Sequence, residues 1–380
     1  MVSKKELIGF LAFLIYLISP IHSVELYYLS SVQTLLSTFF VLVGLLNYHK
    51  FSTGRKIINW YLSILVFITA LLSHESAAVL IGILFLYEVF CKKNSFRRIV
   101  INLLPFVLLL FLRILVHFAY FGISQQQVYQ PVFSPPSVIN SFVWLSLWTI
   151  GLPEMLRDFM TLKFEINPNL FKYYGDYLLL ITPIIGIILI TVAIAFGRYF
   201  RNLNSIFYFL FFSFIISLTP FIFFPKHIFS YYLNLPLVFF AGFIVYPISN
   251  LLTWQKIGKF VVIFFVVAFL GLSWQTIQLN QSTHWAAKRA KAAKVILSSI
   301  KHEVPQIDKG ANFFIKDDPG YPYISQDWGS SSKQVFYILS GSDALKLLYN
   351  DLSIKVYYEA IDSEKYNQEK MISLTPFFPY

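Results

Sequence analysis

Charge is scarce in this sequence. Asp, Glu, Lys and Arg supply 13% of its 380 residues, against about 25% in ordinary globular chains. With 57% hydrophobic residues there is too little polar surface to wrap the chain in water, so apolar side chains must face lipid. Cysteine is scarcer still. Cys91 stands alone, which excludes an intrachain disulfide framework and leaves the redox compartment open. No Gly-rich phosphate loop, CxxC pair, HExxH spacing or nucleophile elbow occurs, and no internal repeat is visible. The apolar stretch after Lys4 and Lys5 lacks a small-residue cleavage site, so no cleavable signal peptide is expected. Short alternating strands, the mark of a membrane barrel, are missing as well.

What the chain has instead is apolar runs near the roughly 20 residues a helix needs to cross a bilayer. Nine spans are expected, near 6–21, 28–48, 57–72, 76–90, 99–120, 177–197, 205–224, 232–250 and 258–275. The formal net charge of +11 does not point to nucleic acid, because its Lys and Arg residues sit in short loops between these runs. Lys4/Lys5, His49-Lys50 with Arg55-Lys56, Lys92-Lys93 with Arg97-Arg98, Arg198 with Arg201, and Lys256 with Lys259 fall on alternate connections. All five can be cytoplasmic together only if the N-terminus lies inside and the C-terminus outside.

The expected class is therefore an all-α polytopic membrane protein of about nine transmembrane helices. Its membrane domain covers 1–276, with a long outer connection at 121–176. Within that connection, 138–152 is apolar but too short to cross, and Trp144 and Trp148 suit a place at the membrane surface. From 277 to 380 the composition predicts a small extracytoplasmic α/β appendage. An amphipathic basic helix over 280–302, strands at 312–316 and 353–358, and a helix near 342–350 are expected there, with a Gly/Pro/Ser-rich loop between.

With this topology the unusual polar residues gather on the outer side. One hairpin turn carries His22 and Glu25, a second carries His74 and Glu75, and the connection before the eighth span carries Lys226, His227 and Tyr231. Arg113 and His117, four apart, share one helical face in the outer half of the fifth span. Ionisable groups at membrane depth usually mark a site. Arg113 can hold phosphate oxygens bidentately, Lys226 offers a point charge, and the histidines and carboxylates can bind hydroxyls, coordinate a metal or move a proton. Each has a plain alternative: snorkelling for Arg113 and Lys226, turn pairs for His22/Glu25 and His74/Glu75, an interfacial belt for Tyr231 and its neighbours. These residues specify no particular cofactor, and a divalent metal is left open.

The segments also resemble a family. Ser19-Pro20-Ile21-His22-Ser23-Val24-Glu25 with the run after it is similar to the His-Pro-Ile-His-x-Glu segment of GT-C glycosyltransferases, specifically bacterial relatives of protein O-mannosyltransferases. LLSHESAAVLIGILFLYE resembles their Ser-Lys-Glu span closing in Tyr-Asp or Tyr-Glu, with His74 replacing the lysine; FLRILVHFAYFG resembles their arginine-bearing span; and KHIFSYYLNLPLVFFAG resembles their late Arg/His-Tyr-x-Pro segment. The resemblance implies sugar transfer from a polyprenyl-phosphate carrier to a protein, lipid or glycan acceptor at the outer face of the inner membrane. It implies that Glu25 and Glu75 line the site as catalytic candidates, that Arg113 holds donor phosphate, and that Lys226 and His227 touch donor or acceptor. In the family two spans and an acidic loop precede the His-Pro segment, and here Ser19-Pro20 and Ser30-Ser31 replace its His-Pro and Gly-Arg. The expectation is a member lacking the N-terminal spans: truncated, half of a split enzyme, or inactive. Rival readings are a polysaccharide polymerase or ligase, a non-catalytic scaffold, and a transporter.

Overall fold

The computed structural model describes residues 4–28, 31–54, 56–122, 129–200, 204–321, 330–362 and 371–376. Arg55, Arg201 and Ser30 lie outside the described residues, as do the side chains of Lys4, Lys5 and Tyr27. The chain divides into two compact units, Met1–Asn280 and Gln281–Tyr380.

Unit 1 is helical. Its elements are α1 (Lys4–Leu17), α2 (Ile21–Tyr27), α3 (Val32–Gly54), α4 (Ile57–Ser73), α5 (Val79–Leu86), α6 (Phe96–Tyr120), α7 (Pro135–Ile150), α8 (Asn169–Tyr199), α9 (Ser205–Ile222), α10 (Asn234–Leu251) and α11 (Gln255–Thr283). Short 3-10 turns at Glu75–Ala78, Glu154–Phe159 and Ser230–Leu233 and a π-helical turn at Tyr87–Lys92 join them. Five segments are long and apolar enough to cross a membrane: Val32–Gly54, Phe96–Tyr120, Asn169–Tyr199, Ser205–Ile222 and Ser230–Thr283. Glu6–Leu17 and Ile57–Ser73 are apolar but shorter. Each of the nine expected runs falls on a helix, yet the five segments do not establish nine crossings.

The middle of the bundle is α10, which packs against α1, α3, α7, α8 and α9. Nearly all its side chains are buried, whereas α6 buries only Ile99, Leu103 and Phe106. A helix apolar on every side suits either a core position or lipid, and packing alone separates these two. Local chemistry sets the ends. Asn204 caps α9 by accepting the Phe207 N–H at 3.1 Å. Pro135 and Pro136 open α7, and Gly151, at φ +112°, closes it. The Gly151 carbonyl then accepts the Thr276 hydroxyl at 2.7 Å, and Thr276 lies 3.1 Å from the Tyr177 hydroxyl, so one glycine turn ties α7 to α8 and α11. Trp144 and Trp148 were expected at the membrane surface; both are 1% exposed and pack inside the bundle. The face of α7 that carries them turns inward, a choice that an apolar sequence does not encode.

At one end of the bundle sits Glu88, fully buried. It accepts hydrogen bonds from the Tyr48 hydroxyl at 2.5 Å, from Asn102 Nδ2 at 3.0 Å, and from Asn94 Nδ2. The donors come from α3, from α6 and from the turn just before α6, so one carboxylate fastens three segments. Removing it orphans three donors, and each unsatisfied buried group costs about 1–3 kcal/mol. Glu88→Ala should therefore lower the thermal unfolding midpoint in detergent sharply, and Glu88→Gln, which keeps one acceptor oxygen, less so.

Unit 2 holds α12 (Trp285–Glu303), β1 (Asn312–Ile315), α13 (Ser331–Leu339), α14 (Asp343–Tyr349), β2 (Lys355–Tyr358), α15 (Glu359–Asp362) and β3 (Ile372–Leu374). The strands form a parallel sheet in the order β2-β1-β3, pairing Phe313 with Val356 and with Ile372. Phe313, Ile315, Val335, Leu339, Leu345 and Ile296 make its core. Residues 331–339 were expected within a loop and are helical. Asp317 explains this: its Oδ1 accepts the Ser332 N–H at 2.8 Å and caps α13 from a neighbouring segment.

Candidate functional site

The end of unit 1 opposite Glu88 gathers most of the polar residues that the sequence singled out. α2 is the turn joining α1 to α3, and it buries Glu25. Glu25 Oε1 accepts from the Asn234 amide and, at 3.4 Å, from the Thr34 hydroxyl. Asn234 Nδ2 and Thr34 Oγ1 also reach the Tyr231 carbonyl, at 3.0 and 3.2 Å. The first turn and the head of α3 thus meet the distant Tyr231–Asn234 segment on one carboxylate. Burial pushes Glu25 up from the ordinary carboxylate range to about 7, although the Asn234 and Thr34 bonds favour the ionised form. His22, on the same turn, donates from Nε2 to the Tyr16 carbonyl at 2.8 Å, and burial holds its pKa below the usual imidazole value.

His74 follows α4 and caps the 3-10 turn Glu75–Ala78. Its Nδ1 accepts the Ser76 N–H at 3.2 Å and lies 2.8 Å from the Ser76 hydroxyl. That pattern leaves the proton on Nε2, 3.8 Å from the Glu75 carboxylate. Burial lowers the His74 pKa while Glu75 raises it. Glu75 itself is 82% exposed. Beyond it, His227 Nε2 lies 2.9 Å from the Tyr232 hydroxyl, and the Tyr129 ring packs at 4.5 Å. Desolvation lowers the His227 pKa, with Glu75 acting in the opposite sense.

These branches meet at a hydroxyl-lined cavity. Thr34, bonded to Glu25, Ser76, bonded to His74, and Tyr232, bonded to His227, all line it, together with Ser37, Thr38 and Ser217. Its volume of about 10 Å³ suits a single water. His22, Glu25, His74, Glu75, His227 and Tyr231 thus share one end of the bundle. Three expected residues stand apart. Lys226 is exposed on the loop, and neither it nor Arg113 makes a hydrogen bond or ion pair among the described residues. Arg113 and His117 lie on the C-terminal half of α6, where the side chains around them are largely exposed; the His117 ring packs beside the Phe118 and Phe121 rings. Among the described residues no three His, Cys, Asp or Glu side chains come together to hold a metal ion.

Sequence reading missed the residues that build the site. Asn234 and Thr34 were overlooked, though a lone Asn at the head of an apolar run is a readable signal. Glu154 and Arg157 were also missed. Glu154 Oε2 accepts the Ser230 N–H at 2.8 Å, and Arg157 Nη2 donates to the Pro225 carbonyl at 2.5 Å, which pins the loop carrying His227 and Tyr231. Compared with protein-family models, curated proteins and solved structures, the chain matches none.

The raised Glu25 pKa has a pH consequence. Between the unfolded value of 4.5 and the folded value of about 7, the folded state keeps a proton that the unfolded chain has released. Folding is therefore penalised progressively as pH rises through that window, and the penalty is constant above it. The stability difference between wild type and Glu25→Gln should drift in favour of the variant from about pH 4.5 to 7; paired unfolding series in one detergent check this. A difference independent of pH would show that Glu25 ionises normally.

Proposed function

We propose that this chain is a membrane glycosyltransferase of GT-C type, moving a sugar from a polyprenyl-phosphate carrier to an acceptor at the extracytoplasmic face. The observation that carries the reading is the convergence of His74, Glu75, His227 and Tyr232 with the His22/Glu25 turn at one end of an apolar bundle. Nine crossings with the N-terminus inside would put that end and unit 2 outside the inner membrane, in keeping with the five basic loop clusters. The order of segments resembling the family supports the same choice.

On this reading the two carboxylates part company. Glu25 is enclosed and already committed to Asn234 and Thr34, so it shapes the site. Glu75 is open to solvent with a neutral His74 behind it, and it is the carboxylate able to take a proton from an acceptor hydroxyl as that oxygen attacks the sugar C1. The C1–O bond to phosphate breaks in the same step. The family resemblance assigns the donor phosphate to Arg113, whose guanidinium suits the charge released on it, although α6 carries this residue apart from Glu75, so the assignment rests on the resemblance.

One observation favours a second reading, a scaffold without catalysis: the enclosed cavity admits a water and no sugar, so transfer depends on the open surface beside Glu75. Purified protein assayed with polyprenyl-phosphate sugars separates the two. Transfer requires that Glu75→Gln lower kcat by about a hundredfold or more and that Arg113→Ala weaken use of the carrier-linked donor. No turnover by wild type across hexose donors, or equal turnover by all three proteins, would favour the scaffold.

A further inference from the structure

In unit 2, α12 and α14 meet at their C-terminal ends. The Tyr349 hydroxyl donates to the Val304 carbonyl at 2.6 Å, and Lys301 Nζ lies 4.4 Å from the centre of the Tyr349 ring. An open groove of about 450 Å³ runs beside this contact, lined by Leu297, Leu348, Ser298, Lys301 and His302. Lys294 stands two turns before Lys301 on the same helical face. Lys294 is exposed and makes no hydrogen bond or ion pair among the described residues.

The turn that ends α14 is the anomaly. Asn350, at φ +53°, closes the helix, with the Asn350 N–H on the Leu347 carbonyl and the Asp351 N–H on the Lys346 carbonyl. That closure leaves Leu347 80% and Leu352 85% exposed. Leu352 is the most exposed large apolar side chain among the described residues, and it belongs to the unit outside the membrane-crossing segments. Neither nearby carboxylate pairs with these lysines: Asp351 accepts from Gly310 and Ser353, and Glu303 from Ser299, all neutral donors that leave the carboxylates charged. Lys301 also donates to the Pro305 carbonyl at 2.9 Å, so both lysines keep a charge that no carboxylate pairs. Protruding leucines on the same unit as such lysines are the chemistry of a surface that meets anionic lipid headgroups.

We infer that the tip formed by Leu347 and Leu352, with Lys294, Lys301 and His302 beside it, docks unit 2 onto an anionic bilayer surface. Connectivity favours lipid over a soluble partner. α12 begins at Trp285, and the apolar segment that can cross a membrane ends at Thr283. The bilayer is thus always at high effective concentration, so a few weak contacts suffice. The groove is open, and its lining of two leucines, one lysine, one histidine and one serine lacks the converging donors and acceptors of a specific ligand site. Docking of this kind does not depend on transferase activity.

The test uses the full chain carrying Cys91→Ser and Leu352→Cys, labelled with a polarity-sensitive fluorophore and placed in nanodiscs. Discs of phosphatidylcholine alone are compared with discs of equal parts phosphatidylcholine and phosphatidylglycerol. Docking requires blue-shifted emission, and quenching by doxyl-labelled lipid, in the anionic discs only. Lys294→Glu with Lys301→Glu should lower the quenching at least about twofold, as should high salt, while both versions read alike in neutral discs. Identical emission in the two disc types overturns the inference. So does a blue shift that survives neutral lipid and charge reversal, since that would place the tip against protein, such as a second copy of the chain.

Discussion

A buried polar group in an apolar bundle must find its partners inside the protein, because neither lipid nor a dry core can supply them. Unit 1 meets this constraint with a carboxylate near each end. Glu88 collects Tyr48, Asn94 and Asn102, and Glu25 collects Asn234 and Thr34. Each set draws on segments far apart in sequence, so the polar bonds specify which apolar helices become neighbours. Packing by itself would leave several arrangements of near-equal energy, since one Leu- and Phe-rich helix face fits another about as well as the next.

The two carboxylates differ in what they leave free. Around Glu88 every donor is spent on structure. At the other end, the enclosed Glu25 frames a neighbouring group that is open: Glu75 is exposed, His74 carries its proton on the nitrogen facing Glu75, and His227 faces an aromatic wall of Tyr129, Tyr232 and Phe229. Rigid backing with an open front is the arrangement a site on a helical bundle requires. The loop that bears His227 is held in the same spirit, from behind, by Glu154 and Arg157.

Much of the architecture was legible because it follows from composition and period. Apolar runs of helical length, basic loops between them, and a polar tail with mixed pattern led to a helical membrane unit and a small α/β unit. The miscast parts share a cause. Trp144 and Trp148 read as surface anchors because their run is apolar all round, and only packing decides which face turns inward. Residues 331–339 read as loop because their cap, Asp317, comes from another segment.

Amino-acid order alone determined that this chain needs lipid, where most of its long apolar helices lie, and which few ionisable residues stand in apolar surroundings. Those properties depend on local propensity and on transfer of side chains from water, and both are written residue by residue. The fold in three dimensions decided that Glu25 is enclosed while Glu75 is open, that Asn234 and Thr34 belong with Glu25, and that Leu352 projects from unit 2. Exposure and hydrogen-bond partnership depend on contacts between distant segments, and residue spacing along the chain carries no record of them.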